Sequence, residues 1–354
     1  SGFIVNGRVS IKGRGNTTLY MPKTPFSIKL PNNDDKPLLG MPSHRRWVLL
    51  ANYSDKSLLR TDVAFKLGKI LDNLKWTPQA RHIVLYLNEK YQGVYQLVEQ
   101  IRIDPNRVNI APTISSKQPT GGYLVEVDER KGELFNFSTT LGTNISCRDP
   151  DENLEDVFEY IKSGIQTVED AIFSDSFADT AKGYRKYIDV QSFVDFYLAN
   201  EITKNEDAAY YSSIYMYYNP ADKKIYMGPI WDFDIALGNI EYGGCKSPEG
   251  FHMNDGAFWI SRLFEDPAFV KMVKARWNEK RTEIYALLSY IKSQAAYLNN
   301  AQQVNFKKWD ILNVYVWPNA VVTGSYEGEI EYLHSWLSTR LDWLDVNINL
   351  LYSD

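Results

Sequence analysis

Apolar residues recur along this chain at two periods, and the change from one to the other organises the sequence. Over residues 1–50 the period is two. Val9 and Ile11, then Phe26, Ile28 and Leu30, alternate with polar residues and are separated by Gly13, Gly15, Pro22 and Pro25, which predicts short strands and turns. Over 54–74 the apolar residues Leu58, Leu59, Val63, Phe65, Leu67, Ile70 and Leu71 fall at three- and four-residue steps. This predicts an amphipathic helix capped by Ser54 or Asp55. The stretch HIVLYLNEKYQGVYQLVEQI predicts a hairpin turning over 88–93, and GGYLVEVDE at 121–129 a further strand after a loop over 111–120. Beyond residue 151 helical spacing prevails, in NLEDVFEYIKSGIQTVEDAIF, VQSFVDFYLANEITKN, 257–288, 288–304 and 327–350. A single hairpin interrupts these helices, SSIYMYYNP and KKIYMGPI about a turn at 219–222.

This order predicts an α+β chain with two lobes. A β-rich front lobe with one long helix is expected over 1–129, a connecting segment over 130–150, and a mainly helical lobe holding the inner hairpin over 151–354. A chain of 354 residues exceeds what one hydrophobic core usually organises, so the site is expected between the lobes.

Composition narrows the function. With 44% hydrophobic and 23% charged residues the chain can bury a large core. A net charge of −5 and a pI near 5.6 offer no general attraction to a phosphate backbone, so nucleic acid is not an expected partner. No apolar run approaches the roughly 20 residues needed to cross a bilayer, and the chain itself is expected to be soluble. Two cysteines, Cys147 and Cys245, exclude a disulfide framework and an all-cysteine zinc site; they either pair with each other or stay free, and free thiols are the expectation. His44, His82, His252 and His334 lack the spacing of a histidine metal motif, so any metal is expected on oxygen ligands. The aromatic content of 14% suits stacking on sugars, but Trp277, Trp336 and Trp343 sit at helical spacings that favour core packing.

The candidate chemistry concentrates in three places. In KIYMGPIWDFDIALGN a short strand runs into Asp232 and Asp234. Buried carboxylates need a cation or many donors, and Mg²⁺ held by one or two carboxylates plus phosphates answers that need; capping a turn beside arginines is the alternative. Upstream, Asp207 in ANEITKNEDAAYYSS leaves a helix just before the inner hairpin, the order in which kinases place a catalytic aspartate and a metal-binding aspartate. An ordinary solvated helix end is the other reading. Near the start, Gly13, Arg14, Gly15, Asn16 and Thr17 lie in KGRGNTTLYMPKTPFSIKL, where glycines let backbone N–H groups approach a phosphate. Lys29 follows on an alternating strand, placed either to meet phosphates or simply to face solvent.

The strings LLGMPSHRRWVLLANYSDKSLLR, VLYLNEKYQGVYQLVEQI, FYLANEITKNED, YMGPIWDFDIALGN, RLFEDPAFVKMVKARW and WLSTRLDWLDVNI together resemble the CotH family of spore-coat kinases, from about Gly7 to the C-terminus. The resemblance implies a distorted protein-kinase-like fold and a secreted or spore-associated kinase. Such a kinase uses ATP with Mg²⁺ or Mn²⁺ to phosphorylate Ser or Thr of a protein, outside the cytoplasm. It implies that Asp207 orients or deprotonates the acceptor hydroxyl and Asp232 binds the metal, with Asp234 as a second ligand or an arginine partner. It also implies that Lys29 holds the phosphates beneath the 13–17 loop. Three departures stand out: Asp234 replaces the usual glycine, Ser212 and Ser213 occupy the place of an expected Asn, and the 54–74 helix has no Glu for Lys29, leaving Glu99 or Asp62. The rival expectation is a catalytically weak or inactive kinase-like surface protein that binds or adheres, as some eukaryotic relatives are regarded as doing. Transfer of phosphate to a sugar, or of a nucleotidyl group, is a third.

Overall fold

The alternating stretches form antiparallel sheets, each burying one or both faces. The structure, a computed structural model, describes residues 6–32, 34–114, 119–131, 134–151, 154–256 and 258–351. Its strands are β1 (Ser10–Gly13), β2 (Phe26–Lys29), β3 (Lys36–Leu38), β4 (Met41–His44), β5 (Arg46–Leu50), β6 (Ala80–Leu87), β7 (Lys90–Glu99), β8 (Tyr123–Val127), β9 (Asn136–Ser138), β10 (Asn144–Asp149), β11 (Ile214–Asn219) and β12 (Lys224–Met227). One sheet has the order β1-β2-β5-β7-β6 and another the order β12-β11-β8-β10-β9, while β3 and β4 pair alone.

In the first sheet Phe26 lies opposite Leu49, and Lys29 opposite Arg46. Alternation gives its two faces separate cores. Trp47, Leu49, Tyr95 and Leu97 bury one face with Phe26 and Ile28 packed on them, and Val48, Val94 and Val98 join the large core on the other. The second sheet joins chain from both sides of 130–150, since β8 pairs with β11 through Tyr215 and Glu126, and the segment expected to be a connection itself supplies β9 and β10, with β10 paired to β8.

The helices are α1 (Arg60–Ile70), α2 (Leu154–Phe173), α3 (Val190–Thr203), α4 (Met253–Gly256), α5 (Phe258–Leu263), α6 (Pro267–Tyr285), α7 (Leu287–Lys308) and α8 (Tyr326–Asn347). Helix α1 begins six residues later than its periodicity suggests. The Asp55 carboxylate accepts from the N–H groups of Ser57 and Arg60 and Leu58 takes a left-handed φ of 61°, so 54–59 forms a turn instead. The helical stretch expected over 257–288 is broken, because Asp266 caps α6 at the Ala268 N–H and Pro267 begins it. Ala257 and Asn153, where two helices were expected to begin, and 115–118 of the expected loop lie outside the described residues. Trp277 and Trp336 are core residues, and Trp343 packs half-buried against the same core. No helix among the described residues is long and apolar enough to cross a membrane.

Gly238 shows how closely the helices approach the loop after β12. Its φ is 76°, and a Cβ there would stand 2.5 Å from Cδ1 of Trp336. Gly238→Ala is therefore expected to destabilise the protein by about 1–3 kcal/mol through overpacking against a buried ring. Urea unfolding measures this, and a loss below about 0.5 kcal/mol would show that the ring yields freely.

Candidate active site

Two irregular segments bracket the inner hairpin and meet at one cavity. Lys204 ends α3 in a left-handed conformation with φ 44°, and the chain turns through a short 3₁₀ segment, Glu206–Ala208. The Asp207 carbonyl accepts from the N–H groups of Tyr211 and Ser212, which fixes the turn into β11. After β12, Gly228 reverses the backbone and Asp232 itself takes φ 67°, a conformation that Asp tolerates better than most residues. Phe233 points into the core, so its flanking aspartates face the other way.

Asp207, Asp232 and Asp234 all line a cavity of about 620 Å³, as do Arg14, Gly15, Asn16 and Thr17 from the first sheet's edge. This volume suits a nucleotide-sized ligand. Ser213 Oγ donates to the Asp232 carboxylate at 3.3 Å, and the Asn205 amide holds the Asp232 carbonyl at 3.2 Å. Asp207 faces Arg130 at 3.5 Å, and Arg130 lies over the Tyr211 ring.

The electrostatics are acidic and under-compensated. Glu126, Asp128, Glu206, Asp207, Asp232 and Asp234 contribute six carboxylates to the wall, against the four cationic side chains of Arg14, Lys23, Arg130 and Arg148. Arg148 is committed to Glu126 and stands 3.9 Å from Asp128. Burial raises Asp207 to about 6, with the Asp232 charge adding to the shift. Asp234 lies well above the usual carboxylate range because it is buried and faces Asp232, Asp207 and Asp55. Its carboxylate has a hydroxyl contact from Ser54 at 3.5 Å and no ion pair with an arginine among the described residues. Carboxylates crowded in this way favour a bound divalent cation, which would draw their pKa values down again. The three aspartates do not form a cage, since their oxygens are not all within 4.8 Å of one another. An arrangement of one or two carboxylates completed by phosphates needs no such cage.

Lys29, expected to meet phosphates, does not line this cavity. Lys29 is exposed at the far end of β2, and with a strand rise of about 3.3 Å per residue it stands roughly 13 Å along the strand from Pro25, which lines the cavity. Neither proposed partner meets it: Asp62 accepts from the Tyr290 hydroxyl and Glu99 from the Gln79 N–H. Lys23 lines the cavity instead. It is buried, contacts the Val94 carbonyl and the Asn305 side chain, and stands 4.8 Å from the centre of the Tyr95 ring. Burial lowers its pKa to about 7. Gly13 is the last residue of β1 and does not line the cavity; a Cβ there would meet Leu19. The sequence does not signal Lys23 and Arg130, which lie in irregular chain, or Arg148, which sits at a register shift within β10, because in neither setting does periodicity tell which way a side chain faces.

A family model described as CotH kinase protein matches residues 11–344 of the chain. No curated protein matches it.

Proposed function

This chain belongs to the CotH kinase family, and from that premise we propose that it is an ATP- and divalent-metal-dependent phosphotransferase acting on Ser or Thr of a protein. The observation that carries this reading is the meeting, in one cavity, of the aspartates from both ends of the inner hairpin with the Arg14–Thr17 loop and Lys23. Asp232 and Asp234 would hold Mg²⁺ or Mn²⁺, which when bound neutralises phosphate charge. The backbone of Gly15–Thr17 and the side chains of Arg14 and Lys23 bind and orient the phosphates. Asp207 accepts the proton of the acceptor hydroxyl as its oxygen bonds to the γ-phosphorus, and the bond to the β,γ-bridging oxygen breaks. The chain thus supplies positioning and charge neutralisation, which dominate the catalysis of phosphoryl transfer.

Thermal denaturation with ATP and Mg²⁺ or Mn²⁺ tests the binding half of this reading. Ligand at about 100 times its Kd stabilises a fold by roughly 2.7 kcal/mol. Absence of any metal-dependent shift would favour a kinase-like binding protein instead. Transfer of label from γ-labelled but not α-labelled ATP to protein tests the chemical half, and incorporation of α-label would mark a nucleotidyl transferase.

Lys23 adds a pH signature. In the free protein about 7 is its midpoint, so at pH 8 it is mostly neutral, and nearby phosphates favour its charged form. Lys23 is therefore expected to contribute a fractional proton uptake to nucleotide binding at pH 8 that is absent at pH 6, read as the difference between wild type and the Lys23→Met variant. Calorimetry in buffers of different ionisation enthalpy reads the uptake, and Lys23→Met should remove it. An unchanged uptake in that variant would move the phosphate contact elsewhere.

A further inference from the structure

At Glu206, which lines the large cavity, three unlike donors converge. Cys245 Sγ lies 3.3 Å from Glu206 Oε2, His252 Nε2 lies 3.6 Å from the same oxygen, and Cys245 Sγ lies 3.8 Å from His252 Nε2. Among the described residues they form a group whose donor atoms all lie within 4.8 Å. We propose that Glu206, Cys245 and His252 are the ligands of a second metal site, built for a zinc-like divalent ion and distinct from Asp232 and Asp234.

The triangle has the dimensions such an ion needs. Zinc bonds of about 2.3 Å to sulfur, 2.0–2.1 Å to nitrogen and 2.0–2.2 Å to carboxylate oxygen, set at tetrahedral angles, place ligand atoms about 3.3–3.6 Å apart. The observed edges require movements of only a few tenths of an ångström. A thiolate, an imidazole and a carboxylate select zinc over Mg²⁺, and three protein ligands leave a fourth position for water. The thiol proton passes to solvent as the ion binds.

The surroundings hold the donors in place. Lys204 donates to the carbonyls of Gly244, Ser247 and Glu249, Arg340 to those of Pro248 and Gly250, and Trp336 Nε1 to that of Lys246. An otherwise irregular loop is thereby clamped at six carbonyls. The N–H groups of His252 and Met253 donate to the buried Glu201 carboxylate. Gly243 takes φ 64°, and any Cβ there would overlap the Glu206 carboxylate, so the chain leaves that oxygen room against the loop. Cys147 offers a contrast: it is also buried, but within a strand, and among the described residues it belongs to no such group of three donors.

This site does not depend on the phosphotransferase reading, and its test needs no nucleotide. Chelator-stripped protein is titrated with Co²⁺, which reports thiolate ligation by a near-ultraviolet charge-transfer band and tetrahedral geometry by intense visible bands. Both are expected to saturate at one ion per chain and to vanish on adding Zn²⁺. Cys245→Ser should abolish the charge-transfer band, while Cys147→Ser and Asp232→Asn keep it. Glu206→Gln and His252→Gln, which leave the thiol in place, should each weaken zinc at least tenfold in a competition titration. No thiolate band at one equivalent, a band that survives Cys245→Ser, or affinity unchanged in both Gln variants would overturn the proposal.

Discussion

Replacing Asp207 by Asn is expected to slow phosphate transfer by about 10²–10⁴-fold, the contribution typical of a positioned general base, while leaving metal-dependent nucleotide binding intact. An amide keeps the shape of the side chain but cannot accept the acceptor's proton. The variant should fold normally. Its partner Arg130 has a side chain that is 30% exposed, so the lost ion pair at 3.5 Å is worth little in water. Asp232→Asn should behave differently, losing both transfer and the stabilisation by nucleotide with Mg²⁺ or Mn²⁺. Asn suits this test better than Ala because residue 232 has φ 67°, which Asn tolerates.

A gain should accompany that loss. Asp207 and Asp234 have folded-state pKa values raised in part by the Asp232 charge, so their ionisation opposes folding, and increasingly so as pH rises through those values. Asp232→Asn removes one of the crowded charges. The metal-free variant is therefore expected to melt above the wild type at pH 8, with the difference shrinking towards pH 5. Wild-type transfer rates in Asp207→Asn, or undiminished metal-dependent stabilisation in Asp232→Asn, would remove these residues from the roles assigned to them.

The second large effect is structural. Arg340→Met is expected to destabilise the protein by about 3–5 kcal/mol, because it breaks a buried pair from one side. Arg340 and Glu201 both have fully buried side chains and are ion-paired, and Arg340 also donates to the Glu201 carbonyl and to two carbonyls of the loop after β12. Removing the guanidinium leaves the Glu201 carboxylate without its counter-charge, although the His252 and Met253 N–H groups still donate to it, and takes the donor from three carbonyls. The double variant Arg340→Met with Glu201→Gln should recover part of the loss, since the residual charge is then gone. Chemical denaturation of the four proteins in this cycle measures the coupling, and a single-variant loss under 1 kcal/mol would show that water replaces the arginine.

Both effects arise in segments whose outline is readable in the sequence, though not their contacts. The hairpin of β11 and β12 follows from alternation about the turn at 219–222, and with it the return of Asp232 towards Asp207. The cap at Asp266 and the break at Pro267 are also local signals, although a continuous apolar period across 257–288 masks them. The late start of α1 is less readable, because it depends on Asp55 choosing the N–H groups of Ser57 and Arg60 over a helical start.

Periodicity determines which face of each strand or helix is apolar, since a side chain's direction repeats with the local backbone, and that was enough for most of the elements, the α+β class and the placing of two aspartates beside the inner hairpin, though not for the start of α1 or for β9 and β10. It cannot determine which distant surface covers that face. Lys29 alternates as a phosphate-binding lysine might be expected to, yet β2 pairs so that it stands opposite Arg46, away from the cavity, while Lys23, in irregular chain, is enclosed beside Val94 and Asn305. Glu206, Cys245 and His252 are separated by 39 and 7 positions and share no motif; packing of the loop against α3 and α8 alone brings them together. Burial and charge crowding are sums over neighbours contributed by remote segments, so tertiary structure decided them.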